Sequence, residues 1–251
     1  MIAITRDVSP SVALCELTHL ARTPIDYDRA VAQHRQYRAL LTSLGWQVID
    51  LSADAAHPDC VFIEDTAVVL DDVAVITRPG APSRRGETPP VAAELARHRR
   101  VVTIEAPATL DGGDVLVLDD TIYVGLSSRS NEAGVDQLRT LTGRNVIGIP
   151  LHGALHLKTA VTRVSRDALV VNREWLDVTP FAGWTLIDVD PSEPFGANAL
   201  FTGEAIVYPT AFPLTRARLE AHGITVHTVD AGELAKAEGG VTCCALLLNE
   251  E

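Results

Sequence analysis

The sequence has 251 residues, of which 47% are hydrophobic and 22% are charged, values that are ordinary for a soluble globular protein. Its formal net charge is −12 at pH 7. Proteins that bind nucleic acid are usually basic, so we expect no nucleic-acid partner. We find no secretory signal and no apolar run long enough to cross a bilayer, so we expect no membrane association.

One structural pattern is repeated along the chain: a helix, a short β-branched strand, a polar cluster, and two strands joined by a tight polar turn. The predicted helices are 28–44, 90–98, 132–141, a poor one near 174–177, 215–222 and a short one near 233–236. The strands that follow the longer helices are 47–51, 101–104, 146–149, 185–189 and 225–229. The polar clusters are 62–65, 111–114, 156–158, 196–198 and 239–243. The strands after them are 67–70 with 73–77, 115–118 with 121–124, 159–164 with 168–171, 199–201 with 205–208, and a single strand, 245–248.

The single last strand has a candidate partner at the other end of the chain. Residues 2–5 alternate like a strand and follow no helix. If they pair with residues 245–248, five units close into a ring without exposed strand edges. Equivalent clusters would then meet near the central axis. The alternative is an open α/β sheet with ordinary βαβ connections.

The chain contains four cysteines, at positions 15, 60, 243 and 244. Adjacent cysteines rarely pair, and no spacing matches a zinc site, so we expect neither a disulfide framework nor a metal. Without an export signal, the reducing cytoplasm is the expected location. A cysteine there is either a small buried hydrophobic residue or a reactive thiolate.

Cys243 is a candidate nucleophile because Gly239 and Gly240 precede it and would let a substrate approach the backbone closely. Since side chains alternate along a strand, we assign Cys244 to the core. The competing interpretation is that both cysteines are core residues.

His156 and Asp111 fall in equivalent clusters of other units. Histidine is the usual acid/base partner of a cysteine, and a carboxylate can orient the imidazole. Read alone, His156 could equally be a core histidine, and Asp111 and Asp114, which flank two glycines, could form an ordinary turn.

Three acids, Asp59, Glu64 and Asp65, lie beside Phe62. Carboxylates among apolar residues are costly to bury without a cation, and a guanidinium is a natural bidentate partner. The alternative is a solvated strand edge.

Loop arginines are the candidate ligands for a carboxylate. Arg84, Arg85 and Arg129 have the forked geometry that suits one, or they serve solubility. Asn198 receives no role.

Six motifs together resemble dimethylarginine dimethylaminohydrolase, in chain order and over essentially the whole sequence: 62–65 (FIED), 77–85 (TRPGAPSRR), 110–114 (LDGGD), 125–129 (GLSSR), 155–158 (LHLK) and 239–244 (GGVTCC). That family belongs to the guanidine-modifying enzymes. The resemblance implies a fivefold pseudosymmetric α/β-propeller (pentein) of ββαβ-type repeats, closed by the N-terminal strand, as one catalytic domain over residues 1–251.

The resemblance also implies a role for each site residue. The catalytic residues would be the nucleophile Cys243, the general acid/base His156 and the orienting carboxylate Asp111. The substrate-binding residues would be Asp65, Glu64 and Phe62 at the guanidinium, Asp59 and the lid backbone of Leu17 at the α-amino group, Arg84 and Arg129 at the α-carboxylate, and the carbonyl of Ala237. Some members of the family carry glutamate where this chain has Asp111. The sequence therefore leaves open whether the Asp111 carboxylate extends far enough to contact His156.

The implied reaction is hydrolysis of a methylated arginine to citrulline and dimethylamine, with a small-molecule substrate and no metal or organic cofactor. An arginine deiminase-like hydrolase acting on unmethylated arginine is the nearest alternative. An inactive binder of arginine analogues and a cysteine peptidase are alternatives from other classes. The oligomeric state is open, and a homodimer is one state that we consider.

Overall fold

A computed structural model describes residues 1–249, which form fifteen strands and six α-helices. The helices are α1 Tyr27–Ser43, α2 Thr88–Leu95, α3 Glu132–Thr142, α4 Leu157–Ala160, α5 Pro213–Ala221 and α6 Gly232–Ala235. The strands are β1 Ile2–Arg6, β2 Gln47–Leu51, β3 Ala67–Val69, β4 Val73–Ile76, β5 Arg100–Thr103, β6 Val115–Leu118, β7 Thr121–Leu126, β8 Asn145–Pro150, β9 Val161–Arg163, β10 Ala168–Val171, β11 Thr185–Asp188, β12 Leu200–Phe201, β13 Ile206–Pro209, β14 Val226–Val229 and β15 Leu246–Leu248.

The strands form five separate three-stranded sheets, β15-β1-β2, β3-β4-β5, β6-β7-β8, β9-β10-β11 and β12-β13-β14. In each sheet the first two strands are antiparallel and the third is parallel to the second, as in β3-β4-β5. A parallel neighbour requires a crossover connection. Helices α1, α2, α3 and α5 supply it in four sheets. Four of the five units are therefore ββαβ repeats, and each unit begins at a polar cluster.

The predicted closure of the ring is confirmed. β1 pairs antiparallel with β15, with Ile2 opposite Leu248 and Ile4 opposite Leu246. β1 also pairs in parallel with β2. The alternative of one open α/β sheet is wrong, because no strand pair among residues 1–249 joins one sheet to another.

The helix predicted near residues 174–177 is wrong. Leu176 instead forms a β-bridge with Leu151, and the Trp175 carbonyl accepts the N–H of His152 at 2.8 Å. A short 3₁₀ helix, Thr179–Phe181, replaces the crossover helix of this unit. Backbone N–H and C=O groups that would form hydrogen bonds within a helix are instead bonded in this bridge and in the neighbouring turns.

The apolar core lies between neighbouring sheets. Val75 of β4 and Val124 of β7, for example, are fully buried in the same cluster with Val135 and Leu138 of α3. Burying one such side chain contributes roughly 1.5–3 kcal/mol. The helices and strands pack their apolar faces between the sheets. The polar turns that begin each unit therefore lie at the centre of the ring.

No helix within residues 1–249 combines the length and the apolarity needed to cross a membrane. The assignment of residues 1–251 to one catalytic domain stays a prediction, and its last two residues lie outside the described residues.

Candidate active site

The centre of the ring is formed by the turns that precede the first strand of each sheet. They include the 3₁₀ helices Ile63–Thr66 and Gly112–Asp114. A Cβ atom on Gly113 would lie 2.7 Å from both Asp65 Oδ1 and His156 Nδ1. Glycine at this position therefore lets a carboxylate and an imidazole from different units approach the same backbone.

One pocket at this centre collects most of the predicted site residues. It is lined by Glu16, Asp59, Phe62, Asp65, Arg84, Arg129, Leu155, His156, Ala237, Glu238, Gly239 and Cys243. Of the predicted residues, Asp111, Leu17 and Glu64 are not part of this lining. Asp111 contacts the pocket through His156, and the other two lie in neighbouring structures described below.

His156 forms a buried pair with Asp111, with Nε2 3.0 Å from Oδ2. Asp111 is held in place by the N–H of Gly80 at 2.8 Å. Burial alone would lower the pKa of His156, but the carboxylates of Asp65 and Asp111 outweigh it and raise this pKa to about 9. The imidazole is therefore a cation near neutral pH, with a proton to donate.

Asp65 lies on the opposite side of the imidazole, with Oδ1 3.8 Å from His156 Nδ1. It accepts the Gly113 N–H at 2.9 Å and an N–H of Arg84 at 2.5 Å. Burial would raise the pKa of Asp65, but the His156 and Arg84 charges lower it. Asp65 is thus a fixed buried carboxylate.

The Arg84 guanidinium already makes several hydrogen bonds within the protein, more than we expect of a residue whose only role is to bind a substrate carboxylate. Its guanidinium donates to both oxygens of Glu87, at 3.1 and 2.8 Å, and to the Phe62 carbonyl at 3.1 Å. Arg129 donates to Thr18 Oγ1 at 3.1 Å and lies 3.9 Å from Asp111. Both arginines are on the pocket wall, but Arg84 is also the cation that balances two buried acids.

The surroundings of Cys243 favour the protonated form of its thiol. Burial is the main reason that its pKa is raised to about 12, and the nearby carboxylates of Glu64 and Asp65 add to the effect. The Gly240 N–H donates to the sulfur at 3.3 Å. Cys244 borders a different cavity, together with Tyr37. The two cysteines therefore face different sides, as predicted.

Glu64 lies beside Cys243, whose backbone carbonyl accepts the Glu64 N–H at 3.1 Å. It accepts Lys158 Nζ at 2.5 Å and Thr242 Oγ1 at 2.9 Å. Asn198 bonds to both polar groups of Thr242, accepting its N–H at 3.2 Å and donating to Oγ1 at 3.0 Å. These contacts fix the turn that holds Cys243. Neither Asn198 nor Thr242 was predicted as a site residue, although Asn198 ends the equivalent cluster of the fourth unit.

The loop formed by residues 9–26 covers one end of the pocket. Its Glu16 N–H donates to both oxygens of Asp59, at 3.3 and 3.1 Å. Burial raises the pKa of Asp59. Leu17, the predicted lid residue, is half-buried against the neighbouring apolar cluster. We call residues 9–26 the lid.

Glu238 is a site residue that sequence reasoning missed. Its carboxylate accepts the N–H groups of Thr18, His19 and Leu20, at 3.0, 2.6 and 2.6 Å. Its backbone has φ of 59°, which is uncommon for a non-glycine residue. Its place beside Gly239 was the available sequence signal. Glu238 therefore ties the lid to the segment that carries Cys243.

Asp65, Asp111 and His156 also form a group, within residues 1–249, whose ligand atoms lie within 4.8 Å of one another. These atoms already bond to one another, to Arg84 and to backbone N–H groups. The arrangement is explained without a metal ion.

Known proteins match this chain both in sequence and in structure. The family model described as "N,N dimethylarginine dimethylhydrolase, eukaryotic" matches residues 21–179. The chain is 39% identical to the N(G),N(G)-dimethylarginine dimethylaminohydrolase of Streptomyces coelicolor, over 99% of this chain and 97% of that protein. It is 32% identical to the enzyme of the same name from Pseudomonas aeruginosa, over 91% of both. The structure of a mutant of a Pseudomonas aeruginosa enzyme with citrulline matches with a TM-score of 0.92 and 31% identity, covering 97% of both chains. The chain belongs to the dimethylarginine dimethylaminohydrolase family.

Proposed function

We propose that this protein hydrolyses Nω,Nω-dimethylarginine to citrulline and dimethylamine through a covalent thiouronium on Cys243. The observation that carries the proposal is one pocket whose wall contains Cys243, His156 and Asp65, with His156 bonded to Asp111. Citrulline, the product of this reaction, is the ligand in the Pseudomonas aeruginosa structure.

The substrate would bind by charge. Asp65 receives the guanidinium, with Phe62 beside it, and Glu64 supports the site from beside Cys243. Asp59 and the Leu17 backbone receive the α-amino group. Removing a cation from water is costly unless it meets a fixed counter-charge, and the buried carboxylates of this pocket supply one.

The α-carboxylate would bind to the two pocket arginines, and the Ala237 carbonyl would contact the bound substrate. Because Arg84 is already paired with Glu87 and Asp65, we assign the larger share of this binding to Arg129. Arg84 would then act mainly by holding Asp65 in place.

The same charge activates the nucleophile. A thiol with a pKa of about 12 is almost entirely protonated at neutral pH. A guanidinium beside Cys243 offsets the negative field of Glu64 and Asp65 and favours the thiolate. Catalytic reactivity would therefore appear when the cationic substrate is bound.

Two displacements complete the reaction. When the substrate binds, the Cys243 thiol releases its proton to bulk water, and the thiolate attacks the guanidine carbon to form a C–S bond and a tetrahedral adduct. The C–N bond to the dimethylamino nitrogen breaks as His156 gives that nitrogen its proton. A water molecule, deprotonated by His156, then attacks the planar thiouronium, and the C–S bond breaks as the hydroxyl proton passes to the sulfur, which releases citrulline and restores the Cys243 thiol. The protein's own groups supply each step.

The test is to trap the intermediate. Acid quenching during turnover, followed by peptide mass spectrometry, should show the peptide with Cys243 heavier by the mass of citrulline less one water. Cys243→Ser should bind substrate and lose activity by at least about 10⁴-fold. Cys244→Ala is the matched control and should retain turnover. Equal turnover of wild type and Cys243→Ser would refute nucleophilic catalysis.

An arginine deiminase-like activity is the second candidate, because Asp65 and Cys243 would hold unmethylated arginine in the same way. Measured products distinguish the two. Rapid release of ammonia from arginine, with no dimethylamine from dimethylarginine, would favour the deiminase.

We also propose that the protein acts in the cytoplasm. Its four cysteines are free and buried, as expected in a reducing compartment. Homodimer formation stays a prediction, which sedimentation equilibrium would test.

A further inference from the structure

A second cavity borders Cys243. Its volume is about 170 Å³, and it shares Leu155, Glu238, Gly239 and Cys243 with the catalytic pocket. Apart from Glu238, the charged groups of that pocket, including Asp59, Asp65, Arg84, Arg129 and His156, are not among the described residues that line it. The cavity therefore extends from the nucleophile away from the charged end of the pocket.

The walls of this cavity are mainly apolar. They include Leu20, Leu155, Phe195, Ala211, Phe212 and Ala235. The carboxylate on its lining belongs to Glu238, whose oxygens accept lid N–H groups. An apolar cavity of about 150 Å³ is large enough to hold benzene. The cavity thus suits an uncharged apolar group larger than two methyl groups.

We infer that this cavity is a subsite for the substituent on the departing nitrogen, and that the enzyme accepts N-alkyl groups larger than methyl. The inference rests on the proposed function. If the α-amino and α-carboxylate groups lie at Asp59 and Arg129, the substrate runs through the catalytic pocket to Cys243. A substituent that extends beyond the reacting carbon then enters the apolar cavity. The substrate class is Nω-alkylarginines.

The reaction of such a substrate follows the same steps. With Nω-butylarginine, Cys243 attacks the guanidine carbon, and the bond to the butyl-bearing nitrogen breaks as His156 protonates it. Butylamine leaves, and water converts the thiouronium to citrulline. Because the butyl group lies on the departing nitrogen, the second product is butylamine, and not ammonia.

The experiment compares Nω-butylarginine with Nω,Nω-dimethylarginine in the wild-type enzyme, with citrulline and amines quantified by mass spectrometry. Each fully buried methylene strengthens binding by up to about fourfold. We expect kcat/KM for the butyl substrate to be within about tenfold of that for dimethylarginine. Release of ammonia with N-butylcitrulline, or a kcat/KM about 100-fold lower for the butyl substrate, would overturn the inference.

Two substitutions that fill the cavity make the test specific. Ala235→Phe and Ala211→Phe replace exposed wall residues. Each should reduce kcat/KM for the butyl substrate by at least about tenfold and for dimethylarginine by less than about threefold. Ala93→Phe, at an exposed position of α2 away from this cavity, is the matched control and should change neither value.

Thermal unfolding checks that each variant is folded, and a second position keeps the test valid if one of the two phenylalanine variants fails to fold. Equal losses for both substrates in both filled variants would overturn the subsite. Hydrolysis of dimethylarginine without hydrolysis of butylarginine would reject the subsite and leave the proposed function intact. Hydrolysis of neither would reject both.

Discussion

Cys243 and His156 are both protonated near neutral pH, for different reasons. Burial and neighbouring carboxylates raise the thiol pKa to about 12. The imidazole pKa rises to about 9 because the carboxylates outweigh the effect of its burial. The resting pocket therefore contains a weakly reactive thiol beside a ready proton donor. In the mechanism that we propose, a cationic substrate would shift Cys243 toward its thiolate, while His156 would still hold the proton that the leaving amine requires.

The His156–Asp111 pair gives a prediction about catalysis. Asp111→Asn removes the charge that holds the imidazolium, and kcat should fall by about 10²–10⁴-fold. Asp111→Glu keeps the charge and should retain more activity than the asparagine variant. Steady-state kinetics of both variants tests this. Equal activity of Asp111→Asn and wild type would contradict an orienting role for this carboxylate.

The raised pKa of His156 also predicts how stability depends on pH. The folded-state pKa of His156 is about 9, against the ordinary histidine pKa of 6.5. The proton-bound form thus favours folding, so its contribution is complete below pH 6.5 and is lost as pH rises through 9. This titration by itself should lower the free energy of unfolding by about 2 kcal/mol between pH 7 and pH 9, in addition to any contribution of the buried cysteines, whose pKa values are also raised.

Urea unfolding at pH 7, 8 and 9 measures this effect, and His156→Gln is the comparison. The variant should have a flatter dependence on pH. Asp114 and His34 titrate at about 6 and about 4, below this range. Identical slopes for the two proteins would contradict the assignment to His156.

At the scale of elements, the lid depends on one side chain outside its own sequence. Glu238→Ala removes the acceptor for three lid N–H groups. We expect KM to rise by about tenfold, because one or two charge-assisted hydrogen bonds are lost. We expect kcat to change less. Hydrogen exchange at Thr18, His19 and Leu20 should become faster.

The control for the lid is Glu220→Ala, an exposed glutamate of α5 that pairs with Arg216. This variant should leave both KM and lid exchange unchanged. Unaltered exchange at residues 18–20 in Glu238→Ala would show that this carboxylate does not hold the lid.

The sequence predicted elements well where local signals were complete. For α3, Asn131 caps the first turn by accepting the Gly134 N–H at 2.9 Å, and Gly143 ends the helix with φ of 67°. For residues 174–177 the local pattern was misleading, because the contact with Leu151 that decides this segment lies in another unit. The strand predicted at 159–164 begins later, since α4 takes its first residues.

The sequence predicted that Cys243, His156 and Asp65 lie close together because each falls at the head of a unit, and the structure brings the three to one pocket. Contacts that depend on geometry between units could not be read from the sequence. The ion pair of Lys158 with Glu64, and the bonding of Glu238 to the lid, join segments whose approach is set by the closed ring. The identity of the residues alone did not show that Arg84, and not a bound substrate, is the cation paired with Asp65 and Glu87.

At the scale of the whole molecule, closure of the ring makes β1 part of the core. Ile4 is fully buried, in a cluster that includes Ile63 and Leu246. Ile4→Ala should lower the free energy of unfolding by about 2–5 kcal/mol. Leu214→Ala, at a side chain that is 51% exposed, should change it by less than about 0.5 kcal/mol. Urea denaturation gives both values, and similar effects of the two substitutions would contradict a structural role for β1.

The pairing of β1 with β15 has a consequence for engineering. Since Ile2 lies opposite Leu248, a short peptide could join residue 249 to Met1, and the backbone could be opened instead at Asp119, in the tight turn between β6 and β7. Such a circular permutant would contain the same five units in the same cyclic order, but its sequence would begin in a different unit. The cyclic order of the five units, and not the position of the first residue, brings the side chains of this pocket together.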